Sequence, residues 1–147
     1  MNYTLRFQQQ WPPQQLVRSG GVHDPLNRRL RTVSVDQYGN VLVDEGRRPP
    51  KKYDFCLDMN GDIIPELSTG LSTYTDRAYL PIHFQQRQER LWRIECGLMQ
   101  MYPAEMQLKS KEAHDARHYG INPTASVTPE TFRRMLRCLP WVKLEMN

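Results

Sequence analysis

Apolar and polar positions alternate over residues 3–7, which predicts a first strand with Tyr3, Leu5 and Phe7 on one side and Thr4 and Arg6 on the other. Trp11-Pro12-Pro13, set between Gln8-Gln9-Gln10 and Gln14-Gln15, forbids helix and favours an extended path. Residues 18–29 read as a loop. Two β-rich runs, 31–36 and 40–44, flank Gln37-Tyr38-Gly39, where the glycine supplies the positive φ of a tight turn. Arg47-Arg48-Pro49-Pro50-Lys51-Lys52 reads as a solvated basic loop, and Asn60-Gly61-Asp62 as a turn.

The second half is more sharply patterned. Leu71-Ser72-Thr73-Tyr74 after Gly70 is β-prone, and Thr75 or Asp76 can cap a short helical turn. Residues 84–93 are charged and Gln-rich and predict a helix running into 92–96. Residues 104–117 carry long polar side chains, and His118 to Asn122 reads as a strand stopped by Pro123. Thr128-Pro129-Glu130 starts a helix, with Thr as N-cap and Pro in the first turn. Phe132, Met135, Leu136 and Leu139 then share one face, ending near Pro140. Strands outnumber helices, so the predicted class is α+β.

Length and charge narrow the picture. The chain has 147 residues, the size of one domain, so 1–147 is read as a single unit. No apolar run reaches the length of a membrane span, and no leader-like apolar stretch follows the first residues, so a soluble, cytoplasmic protein is expected. Twenty basic and 16 acidic residues give a net charge of +4, too mild to identify a nucleic-acid binder. Cys56, Cys96 and Cys138 form no CxxC pair and are expected to be reduced and mostly buried. The phosphate loop, GxGxxG, HExxH and GxSxG are all missing. His114 and His118 stand at i, i+4, but no third ligand is evident, so no metal site is predicted.

The residues with chemistry to offer are Arg6 on the first strand, Ser72 and Thr73 at the start of a β-run, and His118 on a late strand. Polar groups on separate strands can converge on one cleft. Hydroxyls bond a ribose or an amide, a guanidinium suits a diphosphate, and an imidazole near neutrality holds a hydroxyl or moves a proton.

At these residues the chain resembles a known family. Thr69-Gly70-Leu71-Ser72-Thr73-Tyr74-Thr75-Asp76-Arg77-Ala78 is similar to the Gly-hydroxyl-hydroxyl stretch, followed by Asp-Arg-Ala, of type VI secretion exported toxins with an ADP-ribosyltransferase-like fold. Tyr102-Pro103-Ala104-Glu105-Met106-Gln107-Leu108-Lys109 looks like the family's Pro-containing acidic–apolar–Lys segment, and Arg117-His118-Tyr119-Gly120-Ile121-Asn122-Pro123 resembles its His-Tyr strand ending in Pro. Thr4-Leu5-Arg6 is similar to its first strand. The order of motifs is shared, and the resemblance covers roughly residues 55–139.

The resemblance implies two small sheets enclosing a cleft for NAD, with flanking helices. It implies an effector acting in a target cell's cytoplasm and neutralised by a cognate immunity protein, for which an acidic inhibitor surface would suit the positive charge. Ser72, Thr73 and His118 inherit catalytic roles, Arg6 holds phosphate and ribose, and Tyr74 or Tyr119 stacks on nicotinamide. The chain departs from many ADP-ribosyltransferases in lacking a Gln/Glu-x-Glu motif; Glu112 and Glu130 lie outside any such pattern. The reaction is therefore open between protein-directed transfer, NAD hydrolysis and transfer to a nucleic acid. Two other readings stand beside it: a non-catalytic binding toxin on the same fold, and an RNA-directed protein using Arg47, Arg48, Lys51, Lys52, Arg133, Arg134 and Arg137.

Overall fold

The computed structural model describes residues 5–6, 11–26, 29–42, 53–99, 102–112 and 115–144, with Leu5, Arg6 and Asp115 described by their backbone alone. The chain order is β1 (Leu5–Arg6), β2 (Leu16–Ser19), β3 (Thr32–Ser34), β4 (Phe55–Leu57), β5 (Leu71–Tyr74), α1 (Ile82–Gln85), β6 (Leu91–Ile94), β7 (Tyr102–Pro103), β8 (Met106–Glu112), β9 (Asp115–Pro123), α2 (Pro129–Arg137) and β10 (Val142–Lys143). The class is α+β, as the hydrophobic pattern predicts. No helix among the described residues is long and apolar enough to cross a membrane.

Six strands form one antiparallel sheet in the order β10-β6-β2-β5-β9-β8. Two two-stranded ladders accompany it, β1 with β7 antiparallel and β3 with β4 parallel. This replaces the two small sheets expected from the resemblance. The six-stranded sheet is not uniform, however. β2 pairs with β6 over four residues and β5 with β9 over four, but β2 meets β5 at one pair only, Val17 opposite Tyr74. Three strands lie on either side of that single junction.

Helix α2 covers one face of the sheet. Thr128 caps it by accepting a hydrogen bond from the Thr131 N–H, with Pro129 in the first turn, as the sequence predicts. Its apolar stripe, Phe132, Met135 and Leu136, packs with Phe55, Ile63, Leu71, Ile94 and Ile121 into the main core. Phe55 meets Phe132 edge-on at 5.6 Å. Leu139, one turn on, is buried too.

Several expectations need correction. The predicted helix over 84–93 is one helical turn (α1), a 3-10 turn at Gln88–Arg90 and then strand β6. The run between Phe84 and Leu91 lacks apolar residues at helical spacing, whereas Leu91 and Ile94 are fully buried beside β2. The loop assigned to 18–29 begins too early, because Arg18 and Ser19 belong to β2. The polar stretch 104–117 holds β8 and the start of β9, whose hairpin is the longest strand pair described. The turn at Gly39 is present, with φ 82°, but β3 takes β4 as its main partner rather than the run after the turn. Cys56 and Cys96 are buried and Cys138 is exposed, and all three are free thiols. The basic loop 47–52 lies outside the described residues.

Candidate functional site

A cleft of about 700 Å³ opens where β2 and β5 part beyond Val17 and Tyr74. Arg18 and Ser19 line it from β2, Ser72 and Tyr74 from β5, and His118 from β9. Strand alternation selects these side chains. Ser72 and Tyr74 point one way and Leu71 and Thr73 the other; His118 stands opposite Tyr74, and Gly120 opposite Ser72.

Ser72 and His118 are brought into contact. Ser72 Oγ lies 2.5 Å from His118 Nε2, and His118 Nδ1 lies 3.3 Å from Glu112 Oε1. The Tyr74 ring stacks on the imidazole with centroids 4.2 Å apart and planes 11° off parallel. Burial pushes the His118 pKa below its ordinary value; the Glu112 hydrogen bond opposes this, and Lys111 adds to it. The imidazole is therefore neutral at about pH 7. With a carboxylate beside Nδ1, the proton sits on Nδ1, and Nε2 is left to accept the Ser72 hydroxyl proton.

Glu112 reaches this position because the β8–β9 register shifts between Ser110 and Glu112, a bulge that re-aims the side chain. Glycines let the backbones close in behind the pair. A Cβ on Gly120 would stand 1.8 Å from the Thr69 carbonyl oxygen, and Gly70, at φ 94°, could not take a side chain without strain.

Cations line the same cleft. Arg18 is 5% exposed, and its Nε and Nη1 have no hydrogen-bond partner among the described residues. Its Nη2 donates weakly to the Ser19 carbonyl at 3.4 Å. Burial lowers its pKa to about 10, with Asp54 pulling it back up, so it keeps its charge near neutrality. Lys111 Nζ donates to Asp54 Oδ1 at 2.7 Å, and burial lowers the Lys111 pKa against that attraction. Arg18, Arg31 and Lys111 against Asp54 leave two positive charges in excess in this part of the lining.

Not every predicted site residue faces the cleft. Thr73 is a correction: it is fully buried on the opposite face, and its hydroxyl donates to the Tyr119 carbonyl at 2.8 Å. Tyr119 is another, because it stands opposite Thr73 and packs on the main core rather than on a ligand. Only Tyr74 of the two tyrosines offers a ring to the cleft. Arg6 lies in β1, paired with Tyr102 outside the six-stranded sheet, and its side chain is outside the described residues. The buried guanidinium in the described lining is that of Arg18, which sequence reasoning placed in a loop. Its signal was Leu16-Val17-Arg18-Ser19, an apolar pair running into an arginine.

His114 lies outside the described residues. Among those described, no three His, Cys, Asp or Glu side chains gather so as to hold a metal ion. Comparison of the chain with protein families, with curated proteins and with solved structures returns no match.

Proposed function

We propose that the cleft binds a pyridine dinucleotide of the NAD type and that the protein is an NAD-consuming, ADP-ribosyltransferase-like enzyme. The observation that carries this reading is Arg18. A buried guanidinium with two unsatisfied donor atoms is costly unless an anion completes it, and it shares a cleft with a Ser–His pair. A diphosphate on Arg18 would set the sugar beyond it toward Ser72 and His118. The parting of the sheet at Val17 and Tyr74 supports a two-walled cleft of the expected kind.

In this reading Ser72 Oγ bonds the nicotinamide ribose or the amide edge, and Tyr74 stacks against the site from behind His118. The C1′–nicotinamide bond breaks, nicotinamide leaves with the electron pair, and water or an acceptor forms the new bond to C1′. The nucleophile gives its proton to the Ser72 hydroxyl, which passes its own to the unprotonated His118 Nε2. Glu112 is a positioning residue: it fixes the imidazole tautomer and stabilises the imidazolium that forms. The family resemblance extends the proposal to a cytoplasm-acting toxin with a cognate immunity protein.

A second reading is favoured by the relay itself. Hydroxyl, imidazole and carboxylate in this order also activate a serine for acyl transfer. Arg18 favours the phosphate-bearing substrate. Isothermal titration of NAD into wild type and Arg18→Met decides: the dinucleotide reading expects heat with wild type and none with the variant. No heat with wild type at millimolar NAD, together with labelling of Ser72 by a fluorophosphonate, would leave acyl transfer in its place.

A further inference from the structure

The cleft does not end at Arg31. A second lobe of about 360 Å³ adjoins it, sharing Ser19, Arg31, His83 and Phe84, and adds Arg87 and Arg90. Several basic residues described elsewhere meet carboxylates. Arg93 meets Glu95 at 2.6 Å, Arg134 meets Glu130 at 2.8 Å, and Arg137 and Arg133 meet Asp24 at 2.5 and 3.7 Å. Arg133, Arg134 and Arg137, which the sequence offers to a nucleic acid, each meet a carboxylate in this way. Arg31, Arg87 and Arg90 have no carboxylate partner among the described residues, and Arg90 Nε is buried without a hydrogen bond. Three arginines without a carboxylate partner among the described residues thus line one lobe beside the candidate dinucleotide cleft.

A dinucleotide with two phosphate charges is already matched by Arg18 and its cationic neighbours in the cleft. Arg87 and Arg90 line the lobe and not the cleft, and they call for further phosphates. Phe84, half-buried on the lobe wall beside His83, offers an aromatic face. Guanidinium groups beside aromatic rings suit a strand whose phosphates they contact and whose bases stack.

We infer that this lobe binds a single-stranded polynucleotide. The binding follows from the lobe alone, and the strand's role as ADP-ribose acceptor rests on the dinucleotide reading. A nucleophilic oxygen or nitrogen of the strand forms the bond to ribose C1′ as the C1′–nicotinamide bond breaks. Nicotinamide departs with the electron pair; the acceptor's proton goes to the Ser72 hydroxyl, which passes its own to His118 Nε2.

The test is fluorescence anisotropy of labelled ten-residue oligouridylate and oligothymidylate across a sodium chloride series. The probes are titrated with wild type and with the double variant Arg87→Gln/Arg90→Gln. Wild type should bind with log K falling linearly in log salt, and the double variant should flatten that slope by about 1.4, two contacts at ~0.7 each. Tighter binding of the ribo-oligomer assigns RNA; equal binding assigns the phosphate backbone common to both. In wild type, the Nε–Hε signals of Arg87 and Arg90 should shift on adding oligomer, a readout that does not depend on the variant folding. Absence of binding at 50 mM salt, an unchanged slope in a folded double variant, or equal binding of a ten-residue poly-glutamate would overturn the inference. Titrating wild type with NAD in parallel separates the two claims: heat from NAD without oligomer binding sinks only this one, and oligomer binding without NAD heat sinks only the dinucleotide reading.

Discussion

Ser72 and His118, 46 residues apart in the chain, touch through Oγ and Nε2 at 2.5 Å across neighbouring strands. Ser72 stands opposite Gly120, and His118 opposite Tyr74, so the contact is diagonal. Gly120, opposite Ser72, also lets the Thr69 carbonyl approach β9 closely. The chemistry proposed for the cleft begins from this pair.

Arg18→Met should stabilise the protein while abolishing dinucleotide binding. Removing two buried, unpaired donors relieves a desolvation penalty of about 1–3 kcal/mol, and methionine fills the space of the stem. Thermal unfolding should show a raised Tm, and calorimetry no NAD heat. A lowered Tm would mean that Arg18 supports the fold and is not held in readiness for an anion.

The pH dependence has a definite sign. Burial lowers the folded-state pKa of His118 below 6.5, so on acidification the unfolded chain takes up protons first. Stability contributed by the neutral imidazole is complete above pH 6.5 and is lost as pH falls through 6.5 toward the folded pKa. Nicotinamide release should follow the folded pKa, with an acid limb lying below pH 6.5. Glu112→Gln removes a contact that raises this pKa, so the acid limb should move lower still while the plateau rate drops. A limb that stays in place in Glu112→Gln would remove Glu112 from the relay.

Gly120→Ala should be among the most damaging small substitutions in the chain. Its Cβ would meet the Thr69 carbonyl oxygen at 1.8 Å and the carbonyl carbon at 2.8 Å, both backbone atoms. We expect a loss of more than about 2 kcal/mol in denaturant unfolding. An unperturbed Cm would show that the approach of 69–70 to β9 is loose, and with it the Ser72–His118 contact.

The parts of the molecule that sequence reasoning reached are those governed by local rules. The cap at Thr128, the buried stripe from Phe132 to Leu136, the turns at Gly39 and Gly61 and the strand Leu71–Tyr74 all follow from short-range chemistry. Ser72 and His118 were legible as candidates, and Tyr74 with them. Alternation within β5 and β9 already implied that Thr73 points away from Ser72 and Tyr74, and Tyr119 away from His118, so those two corrections were available in principle. Arg18 and Glu112 were not. Arg18 matters because its strand parts from β5 after one pair, and Glu112 because a bulge turns it toward β9. Both are tertiary facts: Leu16-Val17-Arg18-Ser19 hints at a strand, but no short window of sequence says that its arginine faces a cleft. The expected helix at 84–93 failed for a related reason: the polar run looks helical by itself, but β2 recruits Leu91 and Ile94 as a strand.

The most direct measurement is nicotinamide release from NAD by purified wild type, Ser72→Ala and His118→Ala, each first shown to be folded by circular dichroism. The account predicts turnover by wild type, reduced by about 10²–10⁴-fold in His118→Ala and clearly reduced in Ser72→Ala. Turnover by a folded His118→Ala protein at the wild-type rate would contradict it.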